Sequence, residues 1–201
     1  MFWPDRGPLD GLHFVVFRPI LTFMKYDQKD GYRHSARYNA RANQELYQVL
    51  AQLTGRARKK DTGSWFGSLH GIANHLLVAD LFWLNRFKPL LPQSTVLNDE
   101  RLSPPGLSWQ GFLHEDFETM RLEREFVDGK ITAWFDEYPA ELYGNPFVYT
   151  DSAGTRLNAV AGRAFEFLFL HQIHHRAQIS QVLDELGLPN NIADNEAFLD
   201  G

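Results

Sequence analysis

The sequence predicts an all-α protein, a four-helix bundle with a short β-hairpin before its last helix. Four long segments repeat apolar residues at intervals of three and four, which is the period of an amphipathic helix. Prolines and glycines separate these segments. Before the fourth segment, two short runs rich in aromatic and β-branched residues flank a turn-forming stretch at residues 151–154. Four such helices in a chain of 201 residues favour one bundle domain.

The domain prediction divides the chain at residue 35. Residues 1–34 form an irregular lead-in, because recurrent prolines and glycines exclude a long helix there. Residues 35–201 form the bundle domain. Its first helix begins at Ser35 and carries apolar residues at helical spacing as far as Leu53, and Gly55 is a plausible stop.

The other three helices follow in order. The second begins near Ser64 and ends at Pro89, and a long loop over residues 89–111 comes after it. This loop is long enough to cross the bundle, so the helices need not alternate strictly up and down. The third helix covers residues 112–138, and the fourth covers residues 159–186 after the predicted hairpin.

Composition and charge exclude several classes of protein. The chain has no cysteine, which excludes disulfides, thiolate metal sites and a cysteine nucleophile, and is compatible with the cytoplasm. The formal net charge of -5 argues against nucleic-acid binding, and we interpret the basic run at residues 55–60 as a solvated helix end and loop. The apolar start lacks a preceding basic segment, and no stretch approaches the ~20 apolar residues of a membrane span, so neither a signal peptide nor a membrane partner is predicted.

Three of the eight histidines lie within residues 171–175, directly after a very apolar run. His171 and His175 are four residues apart, which places both imidazoles on one face of the fourth helix, about 6 Å apart along its axis. This spacing is common where a helix presents two imidazoles to one metal ion. Gln172 stands where a zincin has its glutamate, so the zincin mechanism is absent.

Two interpretations of this pair remain open from the spacing. His171 shares its helix face with Phe167 and Leu168, so we expect it to point into the bundle. An unpaired polar group costs about 1 to 3 kcal/mol there. A metal ion would satisfy both imidazoles. A hydrogen-bonded core pair, or bonds to a tyrosine or a carboxylate, would satisfy them as well.

His75 is the candidate for a third ligand, because it lies on the inward stripe of the second helix with Ile72 and Ala79. Three histidines from two helices would leave a position open for water or substrate, which suits a catalytic divalent metal. We expect zinc or nickel first, with iron or manganese as further candidates, and imidazole also suits copper. His174 lies about 100° off the line of its neighbours and is predicted at the edge of the site.

Several other polar residues receive structural roles. We expect the remaining histidines at the surface or in packing contacts: His13, His34, His70 and His114. Asp80 is predicted not to be a ligand but to support the metal ligands or helix packing. Arg176 is predicted to pair with an acidic residue such as Asp80 or Glu166, and the alternative is that it orients a carboxylate. Gln178 is predicted to orient a histidine, and Trp83 to be part of the core. No separate general base is evident, so catalytic residues remain unassigned.

Three segments occur in a recognisable order: YNARANQELYQVLAQL at 38–53, FGSLHGIANHLLVADLFWLNRF at 66–87 and FLHQIHHRAQISQVLDELGL at 169–188. With them the chain resembles the DinB family of DinB/YfiT-like metalloenzymes over roughly residues 36–198. Tyr149, Gly154 and Leu157 also resemble the hairpin of that family. Ala177 stands where glycine is common in the family, and the lead-in lies outside the pattern, but neither departure touches a ligand.

The resemblance implies a four-helix bundle in which His75, His171 and His175 hold one divalent metal. It implies a homodimer, with a low-molecular-weight thiol or another small molecule as substrate. The activity it implies is that of a metal-dependent hydrolase or thiol-dependent transferase. The family name reflects induction by DNA damage, which suggests a stress-response role without DNA binding. The alternative is a non-catalytic dimeric stress protein that holds a metal or small ligand without turnover.

Overall fold

The computed structural model of the protein describes residues 27–103, 106 and 111–191. Its helices are α1 (Gln28–Ala51), α2 (Gly55–Arg58), α3 (Leu69–Phe87), α4 (Phe117–Glu137) and α5 (Ala161–Glu185). Short 3-10 turns lie at Lys88–Leu90, Glu100–Leu102 and Ala140–Leu142. The strands β1 (Pro146–Thr150) and β2 (Arg156–Val160) pair antiparallel just before α5. The predicted all-α bundle with a hairpin before the last helix is therefore confirmed.

The four long helices do not alternate strictly in direction. Helices α1 and α3 each pack against both α4 and α5. Asn74 on α3 contacts His114 just before α4, and Asp80, further along α3, contacts Arg124 on α4, so α3 and α4 run parallel. The long connection between these two helices therefore crosses the length of the bundle, which the loop after Pro89 was predicted to be long enough to do.

Helix α1 begins two turns before the predicted start at Ser35. The Asp27 carboxylate accepts a hydrogen bond from the backbone N–H of Asp30 at 2.8 Å and so caps the first turn. Tyr32, inside the predicted lead-in, is buried, and its hydroxyl donates to the carbonyl oxygen of Gly162 at 2.9 Å. Residues 28–34 are therefore helical, and residues 1–26 of the lead-in lie outside the described part of the chain.

Helices α3 and α4 begin about five residues later than predicted, and local capping explains both differences. Gly67 has a φ of 77°, which a right-handed helix does not allow, and Ser68 then caps α3 by accepting from the backbone N–H of Gly71. The Asp116 carboxylate caps α4 by accepting from the N–H of Thr119 at 2.7 Å. The sequence pattern shows the apolar face of a helix better than its first residue.

The basic run at residues 55–60 forms α2 and the turn after it. Arg58 donates to the backbone carbonyl oxygens of Leu50, at 3.0 Å, and of Leu53, both at the end of α1. Its guanidinium also lies 3.9 Å from the ring centroid of Phe117. Arg58 therefore satisfies carbonyl groups that α1 leaves open. Its neighbours Arg56 and Lys60 are exposed, as predicted.

The core is continuous through the bundle and rich in aromatic rings around Phe165. This residue is fully buried and makes edge contacts with rings from several elements: Tyr32, Phe87, Trp134, Phe135, Tyr138 and Tyr143. Edge-to-face pairs of this kind stabilise a core beyond the area that they bury. Among the described helices, none combines the length and the apolar character needed to cross a membrane.

Candidate metal centre

The structure brings His75, His171 and His175 together in the groove between α3 and α5. These helices run antiparallel, and the turn of α5 that carries His171 and His175 faces His75 on α3. The Nε2 atom of His171 lies 3.2 Å from Nε2 of His75 and 3.1 Å from Nε2 of His175. Ligand atoms of all three lie within 4.8 Å of one another. We call these three residues the triad; within the described ranges, no other cluster of potential ligand side chains is arranged to hold a metal ion.

Burial keeps the α5 imidazoles of the triad neutral near pH 7. It lowers the pKa of His171 to about 4, and the nearby His174 lowers it further. Burial also lowers the pKa of His175 to about 4, although the hydrogen bond that His175 donates to Gln178 opposes this effect. A neutral imidazole nitrogen is the form that binds a metal, so the environment prepares these side chains as ligands.

Hydrogen bonding alone does not satisfy the triad. A ring nitrogen has one in-plane position, which holds either a proton or a lone pair. The Nε2 atom of His171 has two close nitrogen neighbours, so only one of these contacts can be a good hydrogen bond. In a tetrahedral zinc site with Zn–N distances near 2.0–2.1 Å, two nitrogens are about 3.3 Å apart. The separations of 3.2 and 3.1 Å lie close to this value, so the three side chains are placed to hold a single ion.

Neighbouring side chains hold the rings of the triad in place. Phe66 stacks on His75 with 4.0 Å between ring centroids and presents its face or edge to His175 at 5.3 Å. A Cβ atom at Gly71 would lie 2.0 Å from the carbonyl oxygen of Phe66, so only glycine allows this approach. Gln178 Oε1 lies 2.8 Å from Nδ1 of His175, which confirms that Gln178 orients a histidine. This contact keeps the proton of His175 on Nδ1 and directs the lone pair of Nε2 into the triad.

The remaining histidines lie outside the triad. His174 is exposed, with its ring centroid 4.8 Å from that of His175, so it lies at the edge of the site as predicted. His70 is buried, and its Nε2 lies 2.9 Å from the carbonyl oxygen of His114, which makes both residues part of a packing contact. His34 is half-buried on α1, and His13 lies outside the described residues.

Two predictions about the apolar surroundings have different outcomes. Trp83 is buried, so its place in the core is confirmed. Phe167, which was expected to point inward with His171, is 48% exposed, and that expectation is wrong. The buried face of α5 is centred on Phe165 and Leu168, and Phe167 lies at the rim of the α3–α5 groove with its ring centroid 6.0 Å from that of His171.

A second polar cluster lies deeper in the bundle, and we call it the charge network. Arg124 on α4 donates to Oδ2 of Asp80 at 2.7 Å and also pairs with Asp128 at 2.8 Å. Arg124 and Asp80 are almost completely buried. Gln172 on α5 donates to Oδ2 of Asp80 at 2.6 Å. Asp80 therefore connects helices and does not face the triad, which agrees with its predicted packing role.

Arg176 belongs to the charge network, but its predicted partners are wrong. Its guanidinium donates to the side-chain oxygens of Asn39 and Asn43 on α1, not to Asp80 or Glu166. Asp80 already pairs with Arg124, and Glu166 lies at an exposed position of α5. Burial lowers the pKa of Arg176 to about 10, so this side chain remains charged near pH 7.

The amides of Asn39 and Asn43 donate to Oδ1 of Asp128 at 3.3 and 3.0 Å while their oxygens accept from Arg176. These two asparagines therefore link the guanidinium of Arg176 to the carboxylate of Asp128. The sequence analysis missed Arg124 and Asp128. The sequence did contain a signal for them, because these two opposite charges are four residues apart within the apolar stripe of α4. The apolar residues buried on that stripe include Met120, Val127, Ile131 and Trp134.

Two cavities lie along α5 near the triad, and both are lined by neighbours of the three histidines but by none of the three themselves. The aromatic cavity, of about 440 Å³, lies under the hairpin and has Trp83, Tyr149 and Phe167 among its walls. The loop cavity, of about 480 Å³, is lined by residues of the 62–64 loop and of α5, including His174 and Gln178. A larger cavity, of about 880 Å³, lies between α1 and α4 and contains no residue of the triad.

Similarity to known proteins covers both the fold and the site. The model of the DinB family matches residues 24–201, a range that includes every described helix and strand and all three histidines of the triad. Comparison with curated proteins and with solved structures gives no significant match.

Proposed function

The chain belongs to the DinB family, and on this premise we propose that His75, His171 and His175 bind one divalent metal ion. The convergence of their Nε2 atoms carries the proposal, because hydrogen bonds can satisfy only one of the two contacts of His171. Neutral imidazole donors favour zinc or nickel, with iron or manganese as further candidates.

A divalent ion held by three protein ligands would lower the pKa of a bound water or thiol and so supply a nucleophile at neutral pH. The residues of the chain prepare the position for it. Burial holds the α5 imidazoles neutral, and Gln178 fixes the proton of His175 on the atom that faces away from the triad. Phe66 covers one face of His75 and so restricts the ring to one orientation.

We propose that the protein is a metal-dependent enzyme, a hydrolase or a thiol-dependent transferase that acts on a small molecule. Two cavities support this function, because their walls include Phe167 and Gln178, which contact His171 and His175, and a substrate needs space near the metal. A low-molecular-weight thiol is the expected co-substrate of the transferase. The alternative is a dimeric stress-response protein that binds a metal or small ligand without turnover, and the engagement of Asp80 in the charge network favours it, because this carboxylate is not available as a general base.

Metal analysis of protein purified without chelators tests the site. We expect close to one equivalent of metal in the wild type and a large loss in His75→Ala and in His171→Ala. The matched control is His174→Ala, which removes an exposed neighbouring histidine outside the triad and should keep its metal. Near-stoichiometric metal in both triad variants would disprove the assignment.

Thiol conjugation to a set of small electrophiles, with and without a chelator, separates the enzyme from the binding protein. The transferase should show turnover that a chelator abolishes and that the same metal restores. Turnover that is insensitive to chelator would contradict the metal mechanism. Absence of turnover and of ester or amide hydrolysis in a metal-loaded protein would favour the non-catalytic alternative.

The proposal extends to partners and location. We propose a homodimer in the cytoplasm, with no nucleic-acid or membrane partner. The net charge of -5 and the absence of cysteine support this environment. Light scattering tests the oligomeric state, and a mass equal to that of one 23.2 kDa chain would contradict the dimer.

A further inference from the structure

The aromatic cavity is not needed to hold a metal ion. Its volume of about 440 Å³ falls within the ~300–1,000 Å³ that is usual for small-molecule sites. The Trp83 ring is central, with ring centroids 5.4 Å from Tyr149 and 5.3 Å from Phe167. The small side chains of Ala159 and Ala164 line the same space. The result is a concave site whose walls suit a flat or bulky apolar group.

Phe167 joins this cavity to the triad. Its side chain is a wall of the cavity, and its ring centroid lies 6.0 Å from that of His171. Its side chain is 48% exposed, whereas phenylalanine side chains are among those most often buried in proteins. An apolar group in the cavity would cover this exposed ring and would lie one helical turn from the imidazole of His171.

The loop cavity has a different lining. Four hydroxyl and amide side chains line it, those of Thr62, Ser64, Gln178 and Gln181, together with the apolar side chains of Ile72 and Val182. Gln178 also contacts His175, so one wall of this cavity adjoins the triad. The two cavities therefore differ in their side chains, aromatic rings in one and hydroxyl and amide groups in the other, which favours one direction for a substrate that spans the triad.

We propose that the aromatic cavity is the subsite for an aromatic, or comparably bulky apolar, group of the substrate. The reacting polar group of the same molecule then lies at the triad, toward the loop cavity. This second part rests on the proposed function, whereas binding of an aromatic group in the cavity does not. The substrate class is a small amphiphilic molecule with an aromatic group one helical turn, about 5 Å, from its reacting atom.

Calorimetric titration of metal-free protein with 2-naphthol tests the cavity alone. We expect binding to the wild type and about tenfold weaker binding to Phe167→Ala, because the variant loses one aromatic wall. The matched control is Leu170→Ala, which removes a 63% exposed apolar side chain one turn further along α5 and outside the cavity. Absence of 2-naphthol binding, or equal weakening by both substitutions, would overturn the proposal.

Titration of metal-loaded protein with two hydroxamates tests the connection to the triad. 2-Naphthohydroxamic acid should bind at least tenfold more tightly than acetohydroxamic acid to the wild type, and Phe167→Ala should remove this preference. Equal binding of the two compounds to the wild type would overturn the connection. If loading with metal strengthens neither hydroxamate while 2-naphthol still binds, the metal proposal fails and the cavity proposal stands.

Discussion

The bundle contains two polar clusters on adjacent faces of α5, and they differ in how their groups are matched. In the charge network, the cation Arg124 faces the anions Asp80 and Asp128. In the triad, ring nitrogens that prefer the same kind of partner face one another. A cluster with complementary charges stabilises the fold without a ligand. A cluster of converging donors is incomplete, which is the property expected of a binding site.

Helix α5 contributes to both clusters from consecutive residues. His171 and His175 face α3, whereas the next residues, Gln172 and Arg176, face the charge network. Consecutive residues differ by about 100° around a helix, so one rigid helix serves both sites. The contacts of the network with the other helices therefore hold α5 at the rotation that presents its histidines to His75.

The largest expected effect comes from breaking the charge network. Arg124→Ala should lower the free energy of unfolding by about 3–5 kcal/mol, because it leaves two buried carboxylates without their cation. Urea denaturation measures this change. The control is Arg121→Ala on the same helix, whose ion pairs are exposed and should contribute little to stability. A loss of similar size in both variants would show that the network does not stabilise the core.

Metal removal should have a smaller effect on stability. At a free metal concentration 100 times the Kd, binding should raise the free energy of unfolding by about 2.7 kcal/mol. Urea denaturation with and without metal measures this gain, which should be absent in His171→Ala. A variant that keeps the full gain would show that the stabilising metal binds elsewhere.

The contact between Gln178 and His175 should affect metal binding but not folding. Gln178→Ala should weaken metal affinity about tenfold or more, since side chains that orient metal ligands typically contribute 10- to 100-fold. Competition with a chromogenic chelator measures the affinity. Gln181→Ala, one turn away with a bond only to exposed Glu185, should leave it unchanged. Equal affinities of both variants would contradict an orienting role for Gln178.

The triad should also make the metal-free protein sensitive to acid. The pKa of His171 and of His175 is about 4 when folded and 6.5 ordinarily, so the unfolded state binds more protons between these values. Stability from the neutral imidazoles is present above pH 6.5 and falls as the pH decreases toward 4.

Urea denaturation across this pH window, on wild type and on the His171→Ala/His175→Ala double variant, measures the effect of the imidazoles. The charge network is present in both proteins, and burial raises the pKa of Asp128 to about 6, so only the difference between the two curves reports on the triad. Parallel curves would contradict the lowered pKa values.

The sequence was sufficient to predict the bundle and the pair His171 and His175 on one face of α5, because both depend on helical spacing, whereas the convergence of His75 with this pair was implied by the resemblance to the DinB family. It was insufficient for partners that come from different helices. The spacing of Asp80 and Arg176 places both on inward faces. It does not reveal that Asp80 pairs with Arg124, or that Arg176 donates hydrogen bonds to Asn39 and Asn43. The starts of α1 and α3 are set by single capping residues, Asp27 and Ser68, and the periodic pattern of apolar residues does not reveal these caps.

X-ray absorption spectroscopy of the protein reconstituted with zinc tests the central claim most directly. A metal held by His75, His171 and His175 predicts three imidazole nitrogens at about 2.0–2.1 Å, visible through the outer-shell scattering of the rings. His75→Ala should reduce this number to two, and His174→Ala should leave it at three. A spectrum without imidazole scattering, or one that His75→Ala does not change, would contradict the account.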